Sequence, residues 1–268
     1  MAATALIGAA VWGIELVSTK ALVARHAMPE NPLYVSPIPS MVPEGKRLAH
    51  VDGCFGCHGT QLTGQVVFSS WFGTRIVAPN LTHLARRETG AQLDAAIRYG
   101  VNHNGASVID MPSNQFIKNS DGDIAAVIAF LRSLPEKPDT ADGTRLWLDG
   151  RTMVVMGLLP LEAVRVEESA RGPQRTPIAP VALGRYLTQA HCSVCHGVDL
   201  SGKTIEGSPD LRVSIQHYSP TAFEHLFQTG EGQIGHGTKT MTRLIRSRFQ
   251  YFTPAEVHAI YVYLKTGE

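Results

Sequence analysis

This 268-residue chain holds four cysteines, arranged as Cys54-Phe55-Gly56-Cys57-His58 and Cys192-Ser193-Val194-Cys195-His196. The spacing C-x-x-C-H is the attachment signature of a covalently held c-type haem. Two thiols must each reach one vinyl group of the same porphyrin and form a thioether. The histidine directly after them then supplies the proximal imidazole to the iron. Two CxxC pairs would also suit a Cys₄ zinc site, but such sites rarely carry histidine after both pairs. A thioredoxin-like dithiol wants a βαβ setting and is not duplicated in this way. The expected cofactors are therefore two covalently bound haem c groups. Cys54, Cys57, Cys192 and Cys195 would attach them, and His58 and His196 would bind the irons.

The elements that must position these residues come as an internal repeat. GKRLAHVDGCFGCHGTQLTG (45–64) answers GRYLTQAHCSVCHGVDLSG (184–202), with one residue fewer before the first cysteine in the second copy. Further on, Pro79-Asn80-Leu81 answers Pro209-Asp210-Leu211, and residues 96–100 answer 226–230. Each copy ends in a helix with a hydroxyl N-cap and an acid three residues later. These are Ser120…Asp123 and Thr253…Glu256, and the second adds Pro254 at the first helical position. Apolar residues at 124, 127, 128 and 131, and at 257, 260, 261 and 264, would bury one face of each helix. With no sustained period-two alternation, the expected class is all-α. The expected organisation is an N-terminal helix (1–27), a Pro-rich spacer (28–43), a first haem domain (44–135), a linker (136–180) and a second haem domain (181–268).

Each half resembles a class I cytochrome c domain. The whole chain resembles the multihaem cytochrome c subunits of bacterial membrane-bound alcohol and gluconate dehydrogenases. The residues carrying the resemblance are the two CxxCH segments, FGT…APNLT (72–82), AIRYGV (96–101), MPSNQF (111–116) and AAVIAFLRSLP (125–135). The chain has two haem motifs where those subunits have three. The resemblance implies a distal methionine before each C-terminal helix, and a proline carbonyl, Pro79 or Pro209, accepting the second ring N–H of the proximal histidine. Met111, followed by Pro112, is the sixth-ligand candidate in the first copy, with His103 or an open position as the rivals. Met241 is the candidate in the second, with His236, His217 and His225 as the rivals. A thioether or second imidazole closes the iron for electron transfer, whereas an open position permits peroxide chemistry. Met153 and Met156 lie outside both copies and read as packing.

A formal charge of +1 provides no global field that would draw nucleic acid. Residues 2–24 are apolar apart from Glu15, Lys20 and a few hydroxyls. As a helix they would reach about 35 Å, against a hydrocarbon core of about 30 Å. A cleaved signal peptide fits less well, because the positive n-region is missing and Arg25 would stand at −3 of a cut after Ala27. The expectation is a membrane anchor, with the proline-rich spacer lifting the first haem domain off the bilayer; an amphipathic docking helix is the alternative. Lys20, Arg25 and His26 run against the positive-inside rule on that reading. Covalent haem attachment places both domains on the periplasmic side of a bacterial cytoplasmic membrane. The expected partners are subunits of a membrane-bound redox complex, an electron donor and an electron acceptor. A dihaem peroxidase is the enzymatic alternative. Lys239, Arg243, Arg246 and Arg248 read either as a haem-propionate or docking patch or as a solvated face. Trp71, Arg75 and Arg98 could line the first haem pocket, and the apolar piece 153–164 could brace the two domains.

Overall fold

The computed structural model describes residues 2–29, 38–166, 171–203, 207–232 and 239–267. Residues 30–37 of the proline-rich spacer, including Pro32 and Pro37, lie outside them, as does His236.

Helix α1 (Ala2–Val23) leads the chain. The first haem unit then builds α2 (Val42–Val51), α3 (Cys54–His58) and a β-hairpin of β1 (Gln65–Ser69) and β2 (Arg75–Ala78). It continues with α4 (Leu81–Arg87), α5 (Gly90–Tyr99), α6 (Ser113–Phe116) and α7 (Asp121–Ser133). The architecture is helical as expected, with this antiparallel hairpin added; a bulge between Val66 and Phe68 interrupts its short ladder.

Helix α2 crosses α7 at Gly45. A methyl group there would overlap the carbonyl of Ala126, so a side chain at this position would part the helices. Leu48, Ala49, Ala126, Val127, Phe130 and Leu131 close the core around the crossing. The face predicted for α7 is buried, and so are Ala126, Ala129 and Phe130, because α2, α4 and α5 enclose the helix from several sides. Arg98 is wholly buried as well. It pairs with Asp94 (2.6 Å) and Asp121 (2.5 Å), so this guanidinium holds α5 to the start of α7 rather than facing a haem.

The linker first straps back over the first unit. Asn80 donates to the carbonyl of Lys137, Thr82 accepts from the Lys137 amide, and Arg145 bridges Arg75. Helices α8 (Leu148–Val155) and α9 (Glu162–Val166) follow. Val154 and Leu159 bury against Ile76, with Ala21 and Leu22 of α1 packed on the same cluster. The apolar linker piece therefore ties α1 to the first unit instead of bracing the two units.

The second unit comprises α10 (Pro180–His191), α11 (Ser193–His196), α12 (Leu211–Ser214), α13 (Pro220–Thr229), α14 (Lys239–Ser247) and α15 (Pro254–Thr266). Its α10–α15 crossing repeats the first, with Gly184 against the carbonyl of Ala259. Thr253 and Glu256 close a full capping box. In the first unit the box is not closed. Ser120 Oγ accepts from the Asp123 amide, but the Asp123 carboxylate accepts from Tyr186 (2.6 Å) and Thr176 (2.7 Å), and the Ser120 amide donates to Tyr186. A residue of the second unit has taken the place of the expected reciprocal bond.

That contact belongs to a seam between the units. Arg47 donates to both carboxylate oxygens of Glu256 and to the carbonyl of Tyr251. His50 stacks between Phe55 and Tyr251, with ring centroids 4.0 and 4.1 Å away. Val51 is buried in the second unit's core.

Candidate haem centres

Each attachment turn forms where the first helix of its unit stops. In the first unit Asp52 and Gly53 end α2, and Gly53 takes a left-handed conformation (φ 81°) that sends the chain into α3. A side chain at Gly53 would also meet the Arg248 guanidinium. In the second unit Cys192 itself joins α10 to α11 with φ −104°. The extra residue in the first copy is thus the left-handed glycine, and the two turns are otherwise alike. No disulfide links any of the four cysteines.

The loop after each histidine is matched bond for bond. Gly64 N donates to His58 O, and Gly202 N to His196 O. Leu81 N donates to Leu62 O, and Leu211 N to Leu200 O. Leu62 and Leu200 are buried in left-handed backbone (φ 59° and 63°). Asn80 and Asp210 each accept two following amides and so cap α4 and α12. This capping fixes the preceding proline carbonyls. Pro79 O lies 2.7 Å from His58 Nδ1, and Pro209 O lies 2.8 Å from His196 Nδ1. A carbonyl only accepts, so each imidazole donates from Nδ1 and presents an unprotonated Nε2. Burial holds the His58 ring below its ordinary range, with the Pro79 bond opposing, which keeps the ligating neutral form in place.

This donor set fits a covalently held haem. Burial pushes Cys54 and Cys192 up to about 12, and desolvation with the nearby Asp110 carboxylate raises Cys57. Thiols so disfavoured as thiolates do not suit an exchanging redox dithiol. Among the described residues no three His, Cys, Asp or Glu side chains converge as a metal cluster, so the four cysteines do not assemble a zinc site. Cys54, Cys57, Cys192 and Cys195 would hold the two porphyrins, and His58 and His196 their irons.

The two methionines stand differently. Met111 lies in the loop between Asp110, in left-handed backbone (φ 58°), and α6. The Asp110 carboxylate adds to the burial that raises the Cys57 thiol. Met241 sits in the first turn of α14, not in a loop, and packs with Cys192 against the second unit's core. Among their rivals, His103 is engaged with Glu88 at 2.9 Å, and His217 and His225 are exposed.

Arg248 separates from the basic run. Lys239, Arg243 and Arg246 line an open face of α14. Arg248 turns into the seam, donates Nε to Val51 O (2.8 Å), and leaves Nη2 buried without a protein partner. It lies beside Gly53 at the first attachment turn, and its charge opposes the upward shift of Cys54, Cys57 and Cys192 alike. Beside it Asp52 accepts from Asn119 Nδ2 (3.0 and 3.2 Å), with His191 Nδ1 3.8 Å away. Lys118 Nζ donates to Ser193 Oγ, inside the second CxxCH motif (2.8 Å). Sequence reasoning missed Asp52, Asn119, His191 and Lys118. The available signal was that Asp52 and His191 occupy the last turn before each first cysteine.

A family model described as cytochrome c matches residues 42–135 and 181–268. The fructose dehydrogenase cytochrome subunit of Gluconobacter japonicus is 24% identical over 272 residues, covering 90% of this chain and 55% of that protein. The alcohol dehydrogenase (quinone) cytochrome c subunits of Gluconacetobacter polyoxogenes and Komagataeibacter europaeus are each 26% identical over 271 residues, covering 85% of this chain and 56% of theirs. The chain spans about half the length of the curated relatives it matches.

Proposed function

The chain belongs to the cytochrome c family, and from that premise we propose that it relays single electrons as a subunit of a membrane-bound redox complex. Both haem units would face the periplasm of a bacterial cytoplasmic membrane, tethered by α1. The chain carries two covalently bound haem c groups. When bound, each supplies a one-electron carrier whose potential follows its axial ligands and surroundings. The relatives are named as cytochrome subunits of dehydrogenases, which supports the role as a subunit. The observation that carries the reading is the twice-built proximal end, a buried histidine aimed by a capped proline carbonyl in each unit.

On this reading the protein performs no bond-making chemistry. The Pro79 and Pro209 carbonyls orient the proximal rings, Met111 and Met241 close the sixth positions, and the polar seam holds the two units in one arrangement. Methionine ligation favours ferrous iron over bis-histidine ligation, so both centres are expected at moderately positive potentials.

The test is optical. The ferric holoprotein should show a sulfur-to-iron charge-transfer band. Met111→Ala and Met241→Ala should each remove about half of it, and the double variant all of it. A resting or half-reduced protein that turns over hydrogen peroxide would overturn the relay and leave a dihaem peroxidase. Purification through this chain from native membranes should bring down a dehydrogenase whose substrate reduces both haems. Substrate that reduces neither would overturn the subunit assignment.

A further inference from the structure

Helix α1 is docked along only part of its length. Arg151 of α8 holds its second half, pairing with Glu15 (3.1 Å) and donating to Ser18 (3.1 Å) and Thr19 (3.0 Å). Ala21 and Leu22 join the cluster of Val154 and Leu159, and the His26 amide donates to Gly105 O. The first half is bare, with Leu6 at 72% and Trp12 at 68% exposure. Trp147 stands one helical turn before Arg151, whose amide donates to the Trp147 carbonyl, so the N-terminal end of α8 lies beside the middle of α1.

That end carries large exposed aromatics. Trp147 directly precedes α8 and is 62% exposed. Its ring lies against Gly73 in the β1–β2 turn, and its amide donates to Thr74. Thr74 also donates to Asp149, which fastens the hairpin tip to the first turn of α8. At that tip Trp71 is fully exposed and Phe72 is 77% exposed. No charged residue occurs between Gln61 and Arg75, and none between Ala2 and Ile14. Monomeric soluble surfaces rarely show an uncharged apolar patch of this kind, and Trp and Tyr concentrate where headgroups meet acyl chains.

We propose that Trp71, Phe72 and Trp147 form with Trp12 an aromatic collar that seats the first haem unit directly on the lipid bilayer, around the point where α1 enters it. The collar rests on the reading of α1 as a membrane anchor. It lies beside α1, the one helix among the described residues with the length and composition of a membrane span, of which the exposed residues 2–12 would enter the lipid. The hairpin tip and the first half of α1 carry no charge, and Arg145 and Asp149, which flank Trp147, suit the headgroup level, so this face matches a bilayer surface. It also sets the first unit down on the bilayer, where the proline-rich spacer alone suggested a stand-off. The hairpin runs from the loop after His58 to Pro79, so the seated element is also the one that ends at the His58 hydrogen-bond acceptor.

A photo-crosslinking amino acid placed singly at positions 71, 72 and 147 of the full holoprotein in its native membranes tests this. Position 7 on bare α1 and position 178, at 93% exposure on the linker, serve as references. Lipid adducts at 71, 72, 147 and 7, with none at 178, are the expected result. Adducts at 7 alone overturn the collar and leave the anchor standing. Protein adducts at 71, 72 and 147 overturn it in favour of a subunit interface. Lipid adducts at 178 as well remove its specificity, and no lipid adduct at 7 overturns the anchor and the collar together.

Discussion

Replacing Asp52 or His191, one at a time, should tilt the pH dependence of stability in opposite directions. Both side chains are buried in the seam, 3.8 Å apart. Burial pushes Asp52 from its ordinary 3.8 up to about 6; the Asn119 hydrogen bond and the Arg248 and Arg47 charges oppose this, while Asp123 adds to it. Burial pushes His191 from 6.5 down to about 3, and Arg248 and Arg47 add to that. A carboxyl raised on folding contributes stability that is complete below its unfolded value and lost as pH rises through about 6. Its two-unit shift corresponds to about 3 kcal/mol. A histidine lowered on folding contributes stability that is complete above 6.5 and lost on acidification, again about 3 kcal/mol by pH ~4. In the wild type the two nearly cancel across that window. Asp52→Asn leaves His191 unopposed, so stability should fall by about 3 kcal/mol between pH ~6.5 and ~4. The new amide can donate to Asn119 Oδ1, which is buried without a partner. His191→Phe keeps the edge contact with Phe252 and loses no hydrogen bond at Nδ1, so stability should rise by a similar amount over the same acidification. Denaturant titrations of the holoprotein at stepped pH, followed by far-UV dichroism and haem absorbance, give the curves. Subtracting the wild type removes the contributions of Asp123, Glu88 and Glu162, which are common to all three proteins. Difference curves of the same sign, or slopes reversed as an Asp52–His191 ion pair would produce, refute the reasoning.

Two further substitutions probe the core. Gly45→Ala and Gly184→Ala should each cost at least the 1–3 kcal/mol of an overpacked core, because the methyl overlaps the facing carbonyl of Ala126 or Ala259. Gly122→Ala, where the added methyl would meet only Ser120 Oγ at an ordinary 3.7 Å, should be tolerated in the same denaturant assay. Arg98→Met takes the guanidinium from the buried Asp94 carboxylate and should cost about 3–5 kcal/mol, most of it recovered in the Asp94→Asn/Arg98→Met double variant. A double variant as unstable as Arg98→Met alone would show that the loss comes from packing.

What the sequence reveals is what short spacing controls. The CxxCH turns, the cap residues Asn80, Asp210, Ser120 and Thr253, and the apolar faces of α7 and α15 all lie within a few residues of the feature they determine. The hairpin was not legible, because five- and four-residue strands with a bulge carry too little alternation. For Arg98 the sequence leaves haem lining open beside ordinary packing, because Asp94 and Asp121 lie on two different helices and only the fold shows that it pairs with both. The seam is the largest omission. Asp52, Asn119 and the Tyr186/His191 pair of α10 come from three separate stretches, and nothing in any one of them announces the others. The open capping box at Ser120 follows from the same cause, since a sequence motif cannot register that Tyr186 will claim Asp123.

The seam also explains why a two-unit chain can behave as one redox body. Separate units joined by a long linker would hold their haems at no fixed relation. Here α2 ends in Asp52 and α10 ends in His191, and both ends meet around one guanidinium. Arg248 lies at the end of α2, its Nε on the Val51 carbonyl and its guanidinium beside Gly53, and its charge opposes the rise of cysteines in both attachment turns. Haem potentials respond to net charge and burial nearby, and a cation favours the reduced state of each centre. Axial methionines would act on one centre each. Arg248, with Asp52 beside it to offset its charge, would act on the pair, a common contribution from which the two ligand sets would then depart.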